Sequence, residues 1–221
     1  MNLAHPQLDH VLAAREGYVA TLVIERPSFF RAFLQDIDEQ LRGGDGRAVL
    51  SREGTILSMD RHAELIDSFV HFQLGRKPLL TKLANRLEAL AVEEENYLKT
   101  TRLMAELEQY IQELAMPLPC GVGCSKMNFG GILKAVGLEI PDDHESDLER
   151  LLDYMELTRE LERERLFILV NLRSYYSDAE VEAFFASALA HELLILPVDS
   201  VSRARLGNER RVTVDDDLCE F

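Results

Sequence analysis

The stretch 166–172, LFILVNL, decides the fold class, because an apolar run without alternation is the pattern of a strand covered on both faces. Two runs of the same texture, 21–25 (TLVIE) and 193–198 (LLILPV), also lead into turn signals or helix. Together they read as the centre of a mainly parallel sheet flanked by helices, the α/β scaffold of nucleotide-binding proteins. The first run, however, is followed by Arg26-Pro27-Ser28, where a phosphate-cradling glycine loop would sit. The scaffold is expected without its usual chemistry.

After the first strand, Ser28 is placed to cap a helix that carries Phe29, Phe33, Ile37 and Leu41 at helical spacing and closes at Gly43-Gly44. Val49-Leu50 and Ile56-Leu57, around Arg52-Glu53-Gly54, read as a hairpin. From Pro78 the texture becomes amphipathic helix, with Leu80, Leu83, Leu87 and Leu90 followed by Tyr97, Met104, Leu107, Ile111 and Leu114. Two helices over 79–92 and 96–114, with Glu93-Glu94-Glu95 as a solvated bend, make a protruding lobe rather than a sheet cover. Pro117 and Pro119 end it. A short sheet-packed helix is expected over 132–136, stopped by Gly137, and an apolar stripe from Leu148 to Leu161 marks another. Ser177 and Glu180 have capping-box spacing, so a helix to about Ala190 links the second and third runs as a βαβ unit. Gly207-Asn208 marks a turn before a last strand at 212–214 and an acidic tail, DDDLCEF.

The chain has 221 residues, 47% of them apolar, enough to bury a core without staples. Asp and Glu number 39 against 24 Lys and Arg, a charge of −15, which opposes a nucleic-acid role unless basic residues gather on one face. No leader pattern opens the chain, and no apolar run approaches the roughly 18 residues of a membrane span, so a soluble cytoplasmic protein is expected. Cys120, Cys124 and Cys219 cannot all pair and read as free thiols.

Catalytic patterns fail one by one. In GVGCSK, 121–126, Leu118 stands at the leading glycine position of a P-loop and Cys124 follows Gly123, so neither phosphates nor magnesium would be held. Cys120 and Cys124 lack a second Cys or His pair for zinc. His191-Glu192 is followed by Ile195 where a zinc protease has its second histidine, and no Gly-x-Ser-x-Gly elbow occurs. Asp142-Asp143 and 215–217 lack calcium-loop spacing. No catalytic residue is assigned, and neither a nucleotide cofactor nor an enzyme is expected.

Several blocks in order along the whole chain resemble the ring-forming spacer-acquisition protein of type II-A CRISPR systems: Met1-Asn2-Leu3, LVIERPSFF (22–30), ENYLKT (95–100), ILKAVGLEI (132–140), LLDYMEL (151–157), FILVNLRSYYS (167–177) and DDDLCEF (215–221). The resemblance implies a P-loop-like α/β head, 1–58 and 116–221, with an inserted helical leg, 59–115. It implies a homotetrameric ring whose basic inner surface encircles double-stranded DNA, loads at its ends without sequence preference, and works in antiviral defence beside the CRISPR integration proteins and the type II nuclease. Calcium stabilises the ring in relatives. Here the stretch equivalent to their acidic segment reads LPCGVGCSKMN, 118–128, with no carboxylate, which leaves Glu93, Glu94, Glu95, Glu139 or Asp142 as alternative donors and no metal site assigned. The DNA-contact candidates are Arg26, Arg76, Lys77, Lys82, Arg86, Lys126, Lys134 and Arg173. The competing function is a protein-only scaffold whose acidic surface docks the basic surfaces of the nuclease and integration complex.

Overall fold

A computed structural model describes residues 1–15, 17–70, 72–124, 127–141 and 143–221. Strands β1 (Asn2–Ala4), β2 (Leu12–Ala13) and β3 (Val19–Ile24) lead into α1 (Pro27–Leu41), then β4 (Val49–Arg52), β5 (Thr55–Leu57), a single turn α2 (Met59–His62) and β6 (Ala63–Ile66). Three helices follow, α3 (Lys77–Val92), α4 (Glu94–Ala115) and α5 (Phe129–Val136), and then α6 (Asp147–Leu161), β7 (Leu166–Val170), a 3-10 turn (Leu172–Ser174), α7 (Asp178–Ala190), β8 (Leu194–Asp199) and β9 (Glu209–Val214). The chain divides into two compact units, one of Met1–Leu74 with Asp143–Phe221, the other of Gly75–Asp142.

The first unit is built on the expected parallel sheet. All five strands run the same way in the order β6-β7-β8-β3-β9, with Leu166 opposite Leu194 and Leu22 opposite both Val198 and Val212. Every residue of β3 and β7 is buried, which is why these runs carry no alternation. The expected hairpin is β4-β5, part of an antiparallel sheet ordered β2-β1-β4-β5. Helix α1 buries Phe29, Phe33 and Ile37 against Leu22, Ile24, Ile168 and Val198. Its start differs from expectation: Arg26 is the cap residue and Ser28 makes no capping bond, because Pro27, with a fixed φ and no N–H to satisfy, serves as first helical residue and puts Ser28 inside the first turn. The capping box of α7 forms as its spacing required, Ser177 Oγ accepting from Glu180 N while Glu180 Oε2 accepts from Ser177 N.

Strand β6 escapes the apolar-run criterion. It is a four-residue edge strand with Glu64 in its middle, and that carboxylate is held by the Tyr154 hydroxyl at 2.6 Å and Arg165 at 3.8 Å. Residues 59–74, assigned by the sequence reading to the leg, therefore include a strand of the sheet.

In the second unit α3 and α4 are joined by the single extended residue Glu93 (φ −66°, ψ 152°), and at 16 and 22 residues they run about 24 and 33 Å. Helix α5 ends as expected at Gly137, whose φ of 69° is the left-handed conformation that glycine adopts without strain. It packs on α3 rather than on a sheet. An apolar stripe of eight residues is equally satisfied by a helix, so the sequence alone does not fix the partner.

Candidate nucleic-acid interface

Charge is distributed unevenly between the units. Residues 75–142 hold eight Lys and Arg against nine Asp and Glu, so nearly the whole excess of −15 belongs to the rest of the chain. Within this near-neutral unit α3 carries Arg76 at its cap, then Lys77, Lys82 and Arg86, and α5, packed on it, carries the exposed Lys134 in its last turn. Five of the eight candidate contacts thus fall on one helix pair. Arg76 and Lys82 already have partners, and Arg86 lies 3.3 Å from Glu93, an exposed pairing worth at most about 1 kcal/mol and easily exchanged for another anion. Lys126 is outside the described residues.

The other two candidates stand in the sheet-bearing unit, in very different settings. Arg26 is exposed at the carboxyl end of β3, where its guanidinium donates to the Asp216 carbonyl at 3.4 Å. Only Glu25 and Arg26 separate β3 from α1, and neither is glycine. The acidic tail folds back on the same edge: Glu25 N donates to Val214 O, and Thr213 and Phe221 exchange both backbone hydrogen bonds. A triphosphate brought there would meet Glu25 and Asp216 rather than a cradle of amides.

Arg173 is not a surface group. It is 3% exposed, pairs with Asp178 at 2.6 Å and lies 3.9 Å from the buried Glu209, so it is withdrawn from any DNA contact. The charge partners that bury it, one of them 36 positions away in the sequence, are what the linear reading lacked. Around it Asp199 is 5% exposed, its Oδ1 has no hydrogen-bond partner among the described residues, and burial pushes its pKa up to about 6 against the pull of Arg173. Arg211 completes the cluster with a 2.7 Å pairing to Glu209.

The sequence reading missed another basic segment. SRARLGNERR, 202–211, has four arginines and one acid in ten residues, a density masked by the turn signal at Gly207-Asn208. Arg203, Arg205 and Arg210 are exposed, whereas Arg211 is half-buried.

Helix α4 supplies the remaining feature. None of its 22 residues is buried, and Leu98, Leu103, Leu107, Tyr110 and Leu114 are exposed, Leu98 at 79%. Leu103, Leu107, Tyr110 and Leu114 share one face of the helix, the kind of exposed apolar patch that interaction sites carry. A family model described as CRISPR-associated protein (Cas_Csn2) matches residues 40–218. The chain belongs to that family. Membership in the Cas_Csn2 family gives it a role in a CRISPR system. No individually curated protein matches the chain. Among the described residues no helix is long and apolar enough to cross a membrane, and no group of three or more His, Cys, Asp or Glu side chains is gathered for a metal. In the stretch 118–128 the side-chain oxygen of Asn128 accepts from Gly131 N at 2.7 Å and caps α5.

Proposed function

We propose that the chain is a non-enzymatic, homotetrameric ring that clamps the ends of double-stranded DNA during spacer acquisition in the cytoplasm, alongside the integration proteins and the nuclease of a type II-A system. The observation that carries this reading is the helical unit of a CRISPR-family chain: a basic α3–α5 pair in the one near-neutral part of an acidic molecule, next in sequence to a helix whose apolar stripe is left uncovered. A 22-residue helix that packs one side on α3 and leaves Leu103, Leu107, Tyr110 and Leu114 exposed gains the rest of its packing from other copies. With about −60 per tetramer, DNA is approached only if cations line one concave surface. The two-residue, glycine-free connector at β3 and the acidic tail beside it support a clamp without ATP chemistry.

The deciding experiment compares linear duplex with a covalently closed circle of the same sequence. The ring binds the linear form, with log affinity falling linearly in log salt, and binds the circle poorly because it threads over an end. Equal affinity for both refutes threading. Assembly is proposed to be independent of calcium, so EDTA should leave the mass unchanged in light scattering, and dissociation to monomers would reverse that statement.

The scaffold reading has its own observation. A groove of about 400 Å³ between α6 and α7 has Leu148, Leu152 and Phe184 in its lining and Glu149 and Glu180 with them, a fit for a basic, apolar segment of a protein partner. Absence of duplex binding at low salt would favour it.

A further inference from the structure

We propose that the segment between β8 and β9, together with an Arg15–Tyr18–Arg210 stack, forms a DNA-backbone contact in the sheet-bearing unit; this rests on the clamp reading and adds to it a surface separate from the α3–α5 pair. Strands β8 and β9 are both parallel to β3, so residues 200–208 have to return from the carboxyl end of one to the amino end of the other. That strap is tied at each stage. Ser200 N and Oγ donate to Asn171 Oδ1, Arg211 donates to the carbonyls of Arg203 and Ala204, Leu206 is buried with its N–H on Glu209, and Gly207 N donates to Glu182. Arg211 is therefore structural. What it holds in place is a rigid segment bearing Arg203 and Arg205, both exposed and without a carboxylate at ion-pair distance among the described residues, although Asp178 and Asp199 feel the Arg203 charge from farther away.

Where the strap joins β9, Val19 N donates to Asn208 O and the neighbouring Tyr18 ring collects two more cations. The Arg210 guanidinium lies 4.0 Å from the ring centroid and that of Arg15 lies 5.1 Å away, with Arg15 Nε donating to the Tyr18 hydroxyl at 2.7 Å. A guanidinium braced over a ring, as Arg210 is, keeps its in-plane N–H donors for a phosphate and loses less freedom on binding, and Arg15, with Nε on the hydroxyl, keeps its terminal N–H groups. Four arginines on tied backbone, in the unit that carries nearly all of the acidic excess, match a polyanionic backbone.

The test is the full chain carrying Arg203→Gln, Arg205→Gln and Arg210→Gln, titrated with a linear duplex over a range of salt. The expected result is a slope of log affinity on log salt that shrinks by about 0.9 for each lost contact, close to 2.7 per engaged protomer, with an unchanged thermal midpoint. Tyr18→Ala should shrink it by about one contact and Tyr18→Phe by none. If the triple variant folds poorly, Arg205→Gln alone carries the same readout. A wild type that binds with a slope the variants leave untouched overturns this contact while leaving the clamp standing; a wild type that does not bind duplex at low salt overturns both.

Discussion

The two units of this chain use the same residue types in opposite ways. In the sheet-bearing unit Leu22, Ile168, Leu169 and Val198 are wholly enclosed, and even an arginine, Arg173, is sealed in with its counter-charges. In the helical unit α4 leaves Leu98, Leu103 and Leu114 more than half exposed, and Arg86 on α3 and Arg102 on α4 sit in solvent pairs with Glu93 and Glu106. The first unit is specified by contacts it makes with itself. The second has a pattern that its own helices do not satisfy, which is the condition for a surface shaped by other copies or by a ligand.

The sharpest way to break this contrast is to remove a cation from each unit. Arg173→Met takes from buried Asp199 the cation that most opposes its raised pKa and leaves Glu209 to Arg211 alone, and should cost about 3 kcal/mol in urea unfolding, the lower end of the penalty for breaking a buried pair. Arg86→Met, on α3, should change stability by no more than about 0.5 kcal/mol. Equal effects would erase the distinction.

Asp199 sharpens the same side of the comparison through pH. Its carboxyl is raised from 3.8 to about 6 in the folded chain, chiefly by burial, so the neutral form is favoured on folding. This contribution to stability is complete below pH 3.8 and is lost as pH rises through 6, where the ionised group is penalised by up to about 3 kcal/mol. Asp199→Asn should therefore stabilise the protein at pH 8 by as much as that, and the gain should shrink towards zero near pH 4. A gain that does not change with pH would mean that the buried charge is not its source.

On the helical side, Leu107→Ser in α4 should leave the helix content and the unfolding of the sheet unit unchanged while weakening self-association by about 1–2 kcal/mol per covered side chain, read as a dilution-dependent fall in mass by light scattering. Loss of folded structure instead would show that the stripe packs within the chain.

What the sequence disclosed follows the same division. Strands β3, β7 and β8 were legible because burial on both faces writes itself as a continuous apolar run, and the start of α7 was legible because a capping box is decided by residues three apart. Strand β6 was not, since its central Glu64 is rescued by Tyr154, 90 positions later. Nor was the partner of α5, because an apolar stripe records that a face is covered without recording by what. Arg173 read as a surface cation for the same reason: its burial is made tolerable by Glu209, far along the chain. The arginines of 202–211 were in plain view, but only the ties of the strap reveal that three of them are held outward while the fourth is used inside.

The smallest expected effect separates the candidate contacts of the two units. Lys134 is exposed in a near-neutral environment on α5, so Lys134→Gln should reduce the salt slope of duplex binding by about 0.9 per engaged protomer, equally for every sequence, with no change in melting. Arg26 is also exposed, yet it stands beside Glu25 and Asp216 with its guanidinium on a tail carbonyl. A phosphate nearing Arg26 meets those acids within a Debye length of roughly 8 Å, so the gain from one cation is offset and Arg26→Gln should leave the slope unchanged. If Arg26→Gln lowered the slope as much as Lys134→Gln, the DNA path would have to pass the carboxyl edge of the sheet, and the acidic tail would have to move aside for it. Deleting residues 215–221 would then raise affinity, whereas a DNA path that avoids this edge leaves the salt slope where it is after the same deletion.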